Sequence, residues 1–459
     1  MAELQSAELG ERVAMPDIEH LSPEDKARSL DRGRVLEARR GAKRWRLLWL
    51  LIGPGLLVML GENDGPSMLS YATSGATYGL GFFLPFIVVT FLAAMVVQEM
   101  AMRVGAITHR GYGELVFQRY GAFWGWLSAV DLLLTNLFTL VTEFIAIRVG
   151  MGFFGIPAPL AVMLGVILVV VSTTGGRYWR WERAALGLAA FNLLFLLAAI
   201  VSRPDPSSIG HALATWQPLP GGSLTTILLL VVSNIGATVT PWMLFFQQSA
   251  TVDKGMTPKD LTAGRIDVVL GGTLAALTGC AALVLAATLF THHVPVASLQ
   301  GGSGFGDALR KVTGYPVAAI FSLGLIEAGA LAALTISAST AYAVGEAISG
   351  GHSFNRRFKD APIFYGLLIG CVVVAAAVVL IPHAPLLAIT LNANLFATAL
   401  LPAGLVFLLL MANDRALMGN KANGRIMNLT AMVVIIGVAV AAASYAVVAS
   451  YGAAFGGGG

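Results

Sequence analysis

A chain of 459 residues that is 56% hydrophobic and 12% charged carries about half the charge of an ordinary soluble domain, which marks an integral membrane protein. The formal net charge of +4 falls largely in the stretches between apolar runs, where it reads as a topology signal and not as a nucleic-acid surface. Cys280 and Cys371, the only cysteines, both sit in apolar runs, so neither a disulfide framework nor a thiolate metal site is supported.

In chain order, residues 1–45 form a charged, Arg-rich, aromatic-poor tail with no short apolar stretch ahead of a small-residue cleavage site, so the first apolar segment is expected to remain in the membrane. A spanning helix needs about 20 mostly apolar residues. Candidate runs fall near 46–78, 82–107, 122–152, 157–175, 182–201, 223–252, 264–291, 314–349, 361–382, 384–412 and 426–450, eleven in all. The expected organisation is a basic tail over 1–45, a membrane domain over 46–452 and a flexible Gly-rich end over 453–459.

Lys and Arg set the orientation, because positive residues collect in cytoplasmic loops. With a cytoplasmic amino terminus, that side receives Arg39 to Arg46, then Arg103, Arg110 and Arg119, then Arg177, Arg180 and Arg183. It also receives Lys254, Lys259 and Arg265, then Arg356, Arg357 and Lys359, and finally Arg415, Lys421 and Arg425. The other side keeps Arg203, Arg310 and Lys311, with Arg148 near a helix end. The bias recurs at every loop assigned to the cytoplasm, so the helix count and the orientation support each other, and a multi-pass plasma-membrane protein is expected.

Two runs are interrupted. The first contains Gly61-Glu62-Asn63-Asp64-Gly65-Pro66-Ser67, and the sixth contains Asn234-Ile235-Gly236-Ala237-Thr238-Val239-Thr240-Pro241. Charges and freed backbone groups at membrane depth are costly unless they line a cavity or face other protein. Paired Gly/Pro interruptions at the first position of two five-helix halves point to a transporter built from inverted repeats, 46–201 and 223–412, with 426–450 added. Without further information, a pair of proline kinks in a plain bundle remains the competing explanation.

The residues resemble a family. Gly53-Pro54-Gly55, Asp64 and Ser74-Gly75-Ala76 are similar to the first helix of the NRAMP divalent-metal transporters. So are Gln98 to Gly105 with Arg103, Thr142-Glu143-Phe144-Ile145, Gly236-Ala237-Thr238-Val239 with Pro241, and Pro402 followed by Asn413-Asp414-Arg415-Ala416-Leu417-Met418-Gly419. The resemblance covers about residues 47–450 and implies an all-α, eleven-helix, LeuT-like fold with broken first and sixth helices. It departs at informative places. Asp64-Gly65-Pro66-Ser67 stands where the family has Asp-Pro-Gly-Asn, Thr240 stands for a methionine, Trp242 for a histidine, and Leu140 for a helix-3 acid. These changes resemble the NRAMP-related magnesium transporters, which carry Mg²⁺ and also Mn²⁺ without evident proton coupling.

On that resemblance the metal ligands are Asp64, Ser67, Thr240 and the carbonyl of Ala237, with Glu62, Asn63, Gly236, Glu143, Asp131 and Asn394 as possible additional lining. Loss of a thioether removes a soft ligand that favours transition metals over Mg²⁺. An oxygen-only set with few carboxylates suits a hydrated Mg²⁺, which gives up its water reluctantly. Asp131, Thr135, Thr139 and Glu143 recur every four residues and share one helical face, open either to a vestibule or to structural pairing. For Asn394 a hydrogen-bonded core amide competes with a lining role. His292 and His293 have no acid or Cys at ligand spacing and are read as a solvated loop, and no phosphate loop, nucleophile triad or cofactor fingerprint is present.

The function expected is import of Mg²⁺, with Mn²⁺ tolerated, by a uniporter that holds the ion as transported substrate and no cofactor. Its partners are divalent ions and membrane lipids, with no nucleic acid and no obligate protein partner. The rival within the family is proton-coupled Mn²⁺ or Fe²⁺ import. Outside it stand a Na⁺-coupled organic-substrate symporter and a sensor that binds metal without passing it.

Overall fold

A computed structural model describes residues 44–173, 178–300, 304–347, 362–382 and 385–455, together with positions 35, 37, 41 and 359. The tail over 1–45 lies almost wholly outside the described residues, as do Arg177, Arg356 and Arg357 and the last four glycines. Among the described residues all regular structure is helical.

The elements are α1 (Arg44–Leu51), α2 (Pro54–Gly61), α3 (Gly65–Tyr78), α4 (Phe83–Thr108), α5 (Tyr112–Tyr120), α6 (Ala122–Phe153), α7 (Ala158–Thr173), α8 (Tyr178–Ala189), α9 (Leu194–Val201) and α10 (Pro206–Thr215). They continue as α11 (Leu224–Gly236), α12 (Pro241–Asp253), α13 (Leu261–Thr291), α14 (Gly304–Thr313), α15 (Tyr315–Ala347), α16 (Pro362–Val379), α17 (Leu386–Asn413) and α18 (Arg425–Phe455). Eight spans among the described residues are long and apolar enough to cross a membrane, counting α8–α9 and α11–α12 as single spans. The shorter apolar helices α7 and α16 and the broken pair α2–α3 bring the set to the eleven that the sequence implies. Chain order and the two breaks follow the LeuT-like inverted repeat.

The first run breaks twice. Pro54 opens α2 with no backbone N–H to lose, so a helix can restart there. Asp267 of α13 then receives Gly53 N at 3.1 Å, Gly55 N at 2.6 Å and Leu56 N at 3.1 Å, satisfying the otherwise orphaned first-turn donors of α2. Beside this cap, the Lys254 ammonium pairs with the Glu182 carboxylate, sits 4.4 Å from the centre of the Trp179 ring and donates to Ile52 O. One end of the broken helix is thereby tied to α8, α12 and α13.

The basic loops converge. Glu99 on α4 accepts from Arg103 and from Arg265. Arg103 reaches Lys421 O at 2.5 Å and Asn423 Oδ1 at 2.6 Å, and Arg119 pairs with Asp414 at 2.7 Å. Loops far apart in sequence that all carry Lys or Arg therefore lie at one end of the bundle, as the charge bias requires. Arg103 and Lys254 are each only 4% exposed, so both also serve as partnered structural groups.

Apolar side chains left exposed, among them Leu92, Phe123, Trp124, Ile167 and Val374, form the surface that meets lipid, where exposure of large hydrophobic groups is favourable. On α18, Ile426, Leu429, Val433, Ile436, Val440 and Val447 are exposed along its whole length, consistent with a helix appended outside the repeats. That helix runs through Phe455, so residues 453–455 extend it where the sequence placed the start of a flexible end. Three short helices, α5, α10 and α14, occupy stretches that apolar run-length counts as loops.

Candidate functional site

At the first interruption α2 ends at Gly61, Glu62 caps it by donating its N–H to Val58 O at 3.1 Å, and Asn63 and Asp64 lead into α3. All three are at most 1% exposed. Asp64 caps α3: its Oδ1 accepts from Ser67 N at 2.8 Å, placing Ser67 against the carboxylate. A side-chain acceptor at this position satisfies a first-turn amide and faces the positive end of the helix.

Glu143, reaching in from α6, accepts from Gly65 N at 3.0 Å, and its carboxyl lies beside that of Asp64. Two acids from separate elements thus hold the N-terminus of one half-helix. Gly65 makes the approach possible, since a Cβ there would lie 2.1 Å from the Cβ of Ala146.

The second interruption leaves Ala237 to Thr240 between α11 and α12. Thr240 donates from Oγ1 to Glu62 Oε2 at 2.8 Å, so the two breaks are joined through oxygen atoms. The Ala237 carbonyl accepts from Tyr71 Oη at 2.5 Å. Met243 turns its thioether toward Thr240 N at 3.5 Å, and Trp242 is fully buried one position past the proline.

The four residues expected as ligands, Asp64, Ser67, Ala237 and Thr240, all lie at these breaks and all are buried. Glu62, which the sequence placed among the supplementary residues, is the group that Thr240 contacts. Asn63 is used structurally: its Nδ2 donates to Ala275 O at 2.8 Å and Thr278 Oγ1 at 2.5 Å on α13. Asn394 donates to Ser70 Oγ at 3.0 Å, and Ser70 meets Ser233 at 2.8 Å. Gly236 lets α11 close on α17, where an added Cβ would meet Asn394 O at 2.2 Å.

Of the four polar residues that share one face of α6, Glu143 is the one that contacts the break. Thr135 and Thr139 return their hydroxyls to the carbonyls of Asp131 and Thr135, and Asp131, half-buried, lies about 18 Å further along the helix axis. His292 and His293 are exposed, in keeping with a solvated loop. Among the described residues no group of three His, Cys, Asp or Glu side chains converges on a common point, and none of the ion pairs includes Glu62, Asp64 or Glu143.

Sequence reasoning missed Tyr71, which meets the Ala237 carbonyl, and Asn192, whose amide nitrogen lies 3.3 Å from Asn63 O at the first break. Tyr71 was findable, because Asp64, Ser67 and Tyr71 stand at i, i+3 and i+7 and share one face. Asn192 carried no such signal.

The profile of the family described as natural resistance-associated macrophage protein-like, or Nramp, matches residues 55–448. The chain belongs to the Nramp family. Among its relatives, the divalent metal cation transporter MntH of Ralstonia nicotianae is 28% identical over 417 residues, covering 83% of this chain and 87% of that protein. MntH of Mycobacterium leprae is 25% identical over 394 residues, covering 82% of this chain and 86% of that one. Of solved structures, an Eremococcus coleocola manganese transporter superposes with a TM-score of 0.70 at 20% identity, covering 90% of this chain and 89% of that one. A Na⁺-coupled sialic acid symporter shares the architecture more loosely, at a TM-score of 0.54 and 12% identity over 85% of this chain and 88% of that one. At those identities the structures speak for the Nramp and LeuT-like fold, with the two breaks at its centre.

Proposed function

We propose that this Nramp chain is a divalent-cation permease that carries Mg²⁺, with Mn²⁺ tolerated, into the cytoplasm as a uniporter without a coupled proton. The observation that carries the reading is the Thr240–Glu62 contact, an oxygen-only link between the two helix breaks. Divalent transport itself is supported by the relatives, which are divalent metal cation transporters. It is also supported by charge, since Glu62 and Asp64 together balance a dication. A hard ion with retained waters is suited to one or two carboxylates and small hydroxyls. The sulfur of Met243 is turned to the Thr240 backbone amide, and the residue at position 240 itself offers a hydroxyl in place of a soft side chain that would favour a transition metal.

Ligands proposed for the ion are Asp64, Ser67 and Thr240, with Glu62 promoted to stand beside them and the Ala237 carbonyl available once Tyr71 releases it. Leu140 and Trp242, both fully buried, are nontitratable where the resemblance expects an acid and a histidine, which supports the uncoupled mode. A cytoplasmic amino terminus in the plasma membrane, the tail over 1–45 and the transporter domain over 46–452 belong to the same proposal.

A second reading, the proton-coupled Mn²⁺ or Fe²⁺ importer, is favoured by one observation: Glu143 still stands beside Asp64 at the helix end. Thr240→Met separates ion preference from scaffold. A sulfur restored at the break is expected to raise the apparent affinity for Cd²⁺ and Mn²⁺ by about tenfold, a difference of about 1.4 kcal/mol, read as competition against Mg²⁺ uptake. Unchanged competition would remove Thr240 from the ion's surroundings.

A further inference from the structure

The outer side of α8 has a shape that the metal site does not use. Arg180, Arg183, Ala184, Gly187 and Phe191 stand at i, i+3, i+4, i+7 and i+11, one face of a helix, and all five are exposed. Two arginines open that face, and two small residues follow them. The surface is therefore charged at its rim and hollow below it.

The hollow is a cavity of about 290 Å³ between α7 and α8. Leu168 and Ser172 of α7 line one wall, Trp181, Ala184 and Gly187 of α8 the other, and Leu334 of α15, itself buried, closes the inner side. A Cβ added at Gly187 would meet no atom within 4 Å, so the backbone of α8 borders open space there. From Trp181 to Phe191 the face runs about 15 Å at 1.5 Å per residue. That is half of a hydrocarbon core about 30 Å thick, the depth of one leaflet.

The rim carries charge that the protein leaves unbalanced. Lys254 pairs with Glu182, but among the described residues no ion pair includes Arg180 or Arg183. Arg183 Cζ lies 5.8 Å from the centre of the Trp179 ring, which also takes the Lys254 ammonium at 4.4 Å. Two cations share one ring, and one of them has a carboxylate.

We propose that this groove binds one anionic phospholipid of the adjoining leaflet, with its phosphate on Arg180 and Arg183 and one acyl chain in the cavity between α7 and α8. Basic pockets between transmembrane helices on the cytoplasmic side suit anionic headgroups, and the planar donor fork of arginine takes two phosphate oxygens at once. The apolar walls call for a chain, which a free phosphate lacks. The paired arginines call for net negative charge, which a zwitterionic lipid lacks. The bound chain supports the turn of α8 that presents Glu182 to Lys254. The proposal holds whichever ion the protein carries; only the naming of the leaflet as cytoplasmic rests on the topology proposed above.

Native mass spectrometry of the purified full-length protein tests it, with delipidated protein in detergent titrated with palmitoyl-oleoyl phosphatidylglycerol or with palmitoyl-oleoyl phosphatidylcholine. The expected result is one phosphatidylglycerol per chain, bound at least about tenfold more tightly than phosphatidylcholine. Replacing both arginines, Arg180→Gln with Arg183→Gln, is expected to bring the two lipids level. Gly187→Leu keeps both arginines but fills the cavity, and is expected to weaken phosphatidylglycerol at least about tenfold. Excess inorganic phosphate is expected to leave the lipid in place. Equal binding of the two lipids by the wild-type protein, or a preference that survives loss of both arginines, would overturn the headgroup site. Undiminished binding to Gly187→Leu, or displacement by phosphate, would overturn the place of the chain in the cavity. A two-chain mass in place of the lipid adduct would assign the groove to a second copy and overturn the proposal as well. All three substituted positions are exposed, so monodisperse variants are expected, and should one fail to fold, the comparison of the two lipids on the wild-type protein still decides.

Discussion

At the scale of single residues, the site is a set of acids held by two backbone amides and one hydroxyl. Asp64 is fixed by the amide of Ser67, Glu143 by the amide of Gly65, and Glu62 by the hydroxyl of Thr240. Each carboxylate therefore has a defined position, and among the described residues no cationic side chain pairs with any of the three. Asp64→Ala removes both the charge and the cap of α3. Loss of Mg²⁺ uptake to the background of empty liposomes is expected, together with a helix-cap loss of about 1 kcal/mol in stability. Flux at the wild-type rate would exclude Asp64 from the path. Asp64 was legible in the sequence, because an acid at membrane depth needs a reason. The weight of Glu62 was not. Neighbouring residues diverge on a helix, and the partner of Glu62, Thr240, stands 178 residues away in the chain.

At the scale of elements, the two interruptions organise everything around them. They were readable because Gly and Pro stand out in apolar runs, and because each break carries polar residues that lipid would not tolerate. What sequence could not give is how close the pieces come. Gly65 allows α3 to lie against α6, and Gly236 allows α11 to lie against α17. Gly65→Ala places a methyl group 2.1 Å from the Cβ of Ala146. The expected cost is about 1–3 kcal/mol of overpacking, seen as a lower midpoint of thermal unfolding in detergent, with loss of transport as Glu143 is pushed off the helix end. An unchanged midpoint with full transport would mean that the contact is not that tight. The short helices α5, α10 and α14 escaped notice for a physical reason: their mixed polar composition matches that of loops, and helical periodicity over about ten residues is a weak signal. The additional break at Gly53 was hidden within one long apolar run, and its cap, Asp267, stands more than two hundred residues away in the chain.

At the scale of the molecule, charge distribution and fold agree. Arg103, Arg119 and Arg265 take part in contacts that draw their loops to one end of the bundle, and the account makes that end cytoplasmic. With Cys280 and Cys371 replaced, a thiol introduced by Lys421→Cys is expected to resist a membrane-impermeant reagent in intact cells, whereas one introduced by His292→Cys labels readily. The opposite pattern would invert the topology. Orientation matters for energetics, because a divalent ion entering a cell gains about 2.3 kcal/mol per charge per 100 mV of inside-negative potential. That is enough to drive accumulation without a proton, which fits a site whose neighbours Leu140 and Trp242 cannot titrate. Uptake of Mg²⁺ into proteoliposomes, with an inside-negative potential imposed and a pH dye in the lumen, tests this most directly. The account predicts that Mg²⁺ enters, that Mn²⁺ competes with it and that lumenal pH stays constant. Acidification in step with uptake, or Mn²⁺ entry that a large excess of Mg²⁺ does not slow, would contradict it.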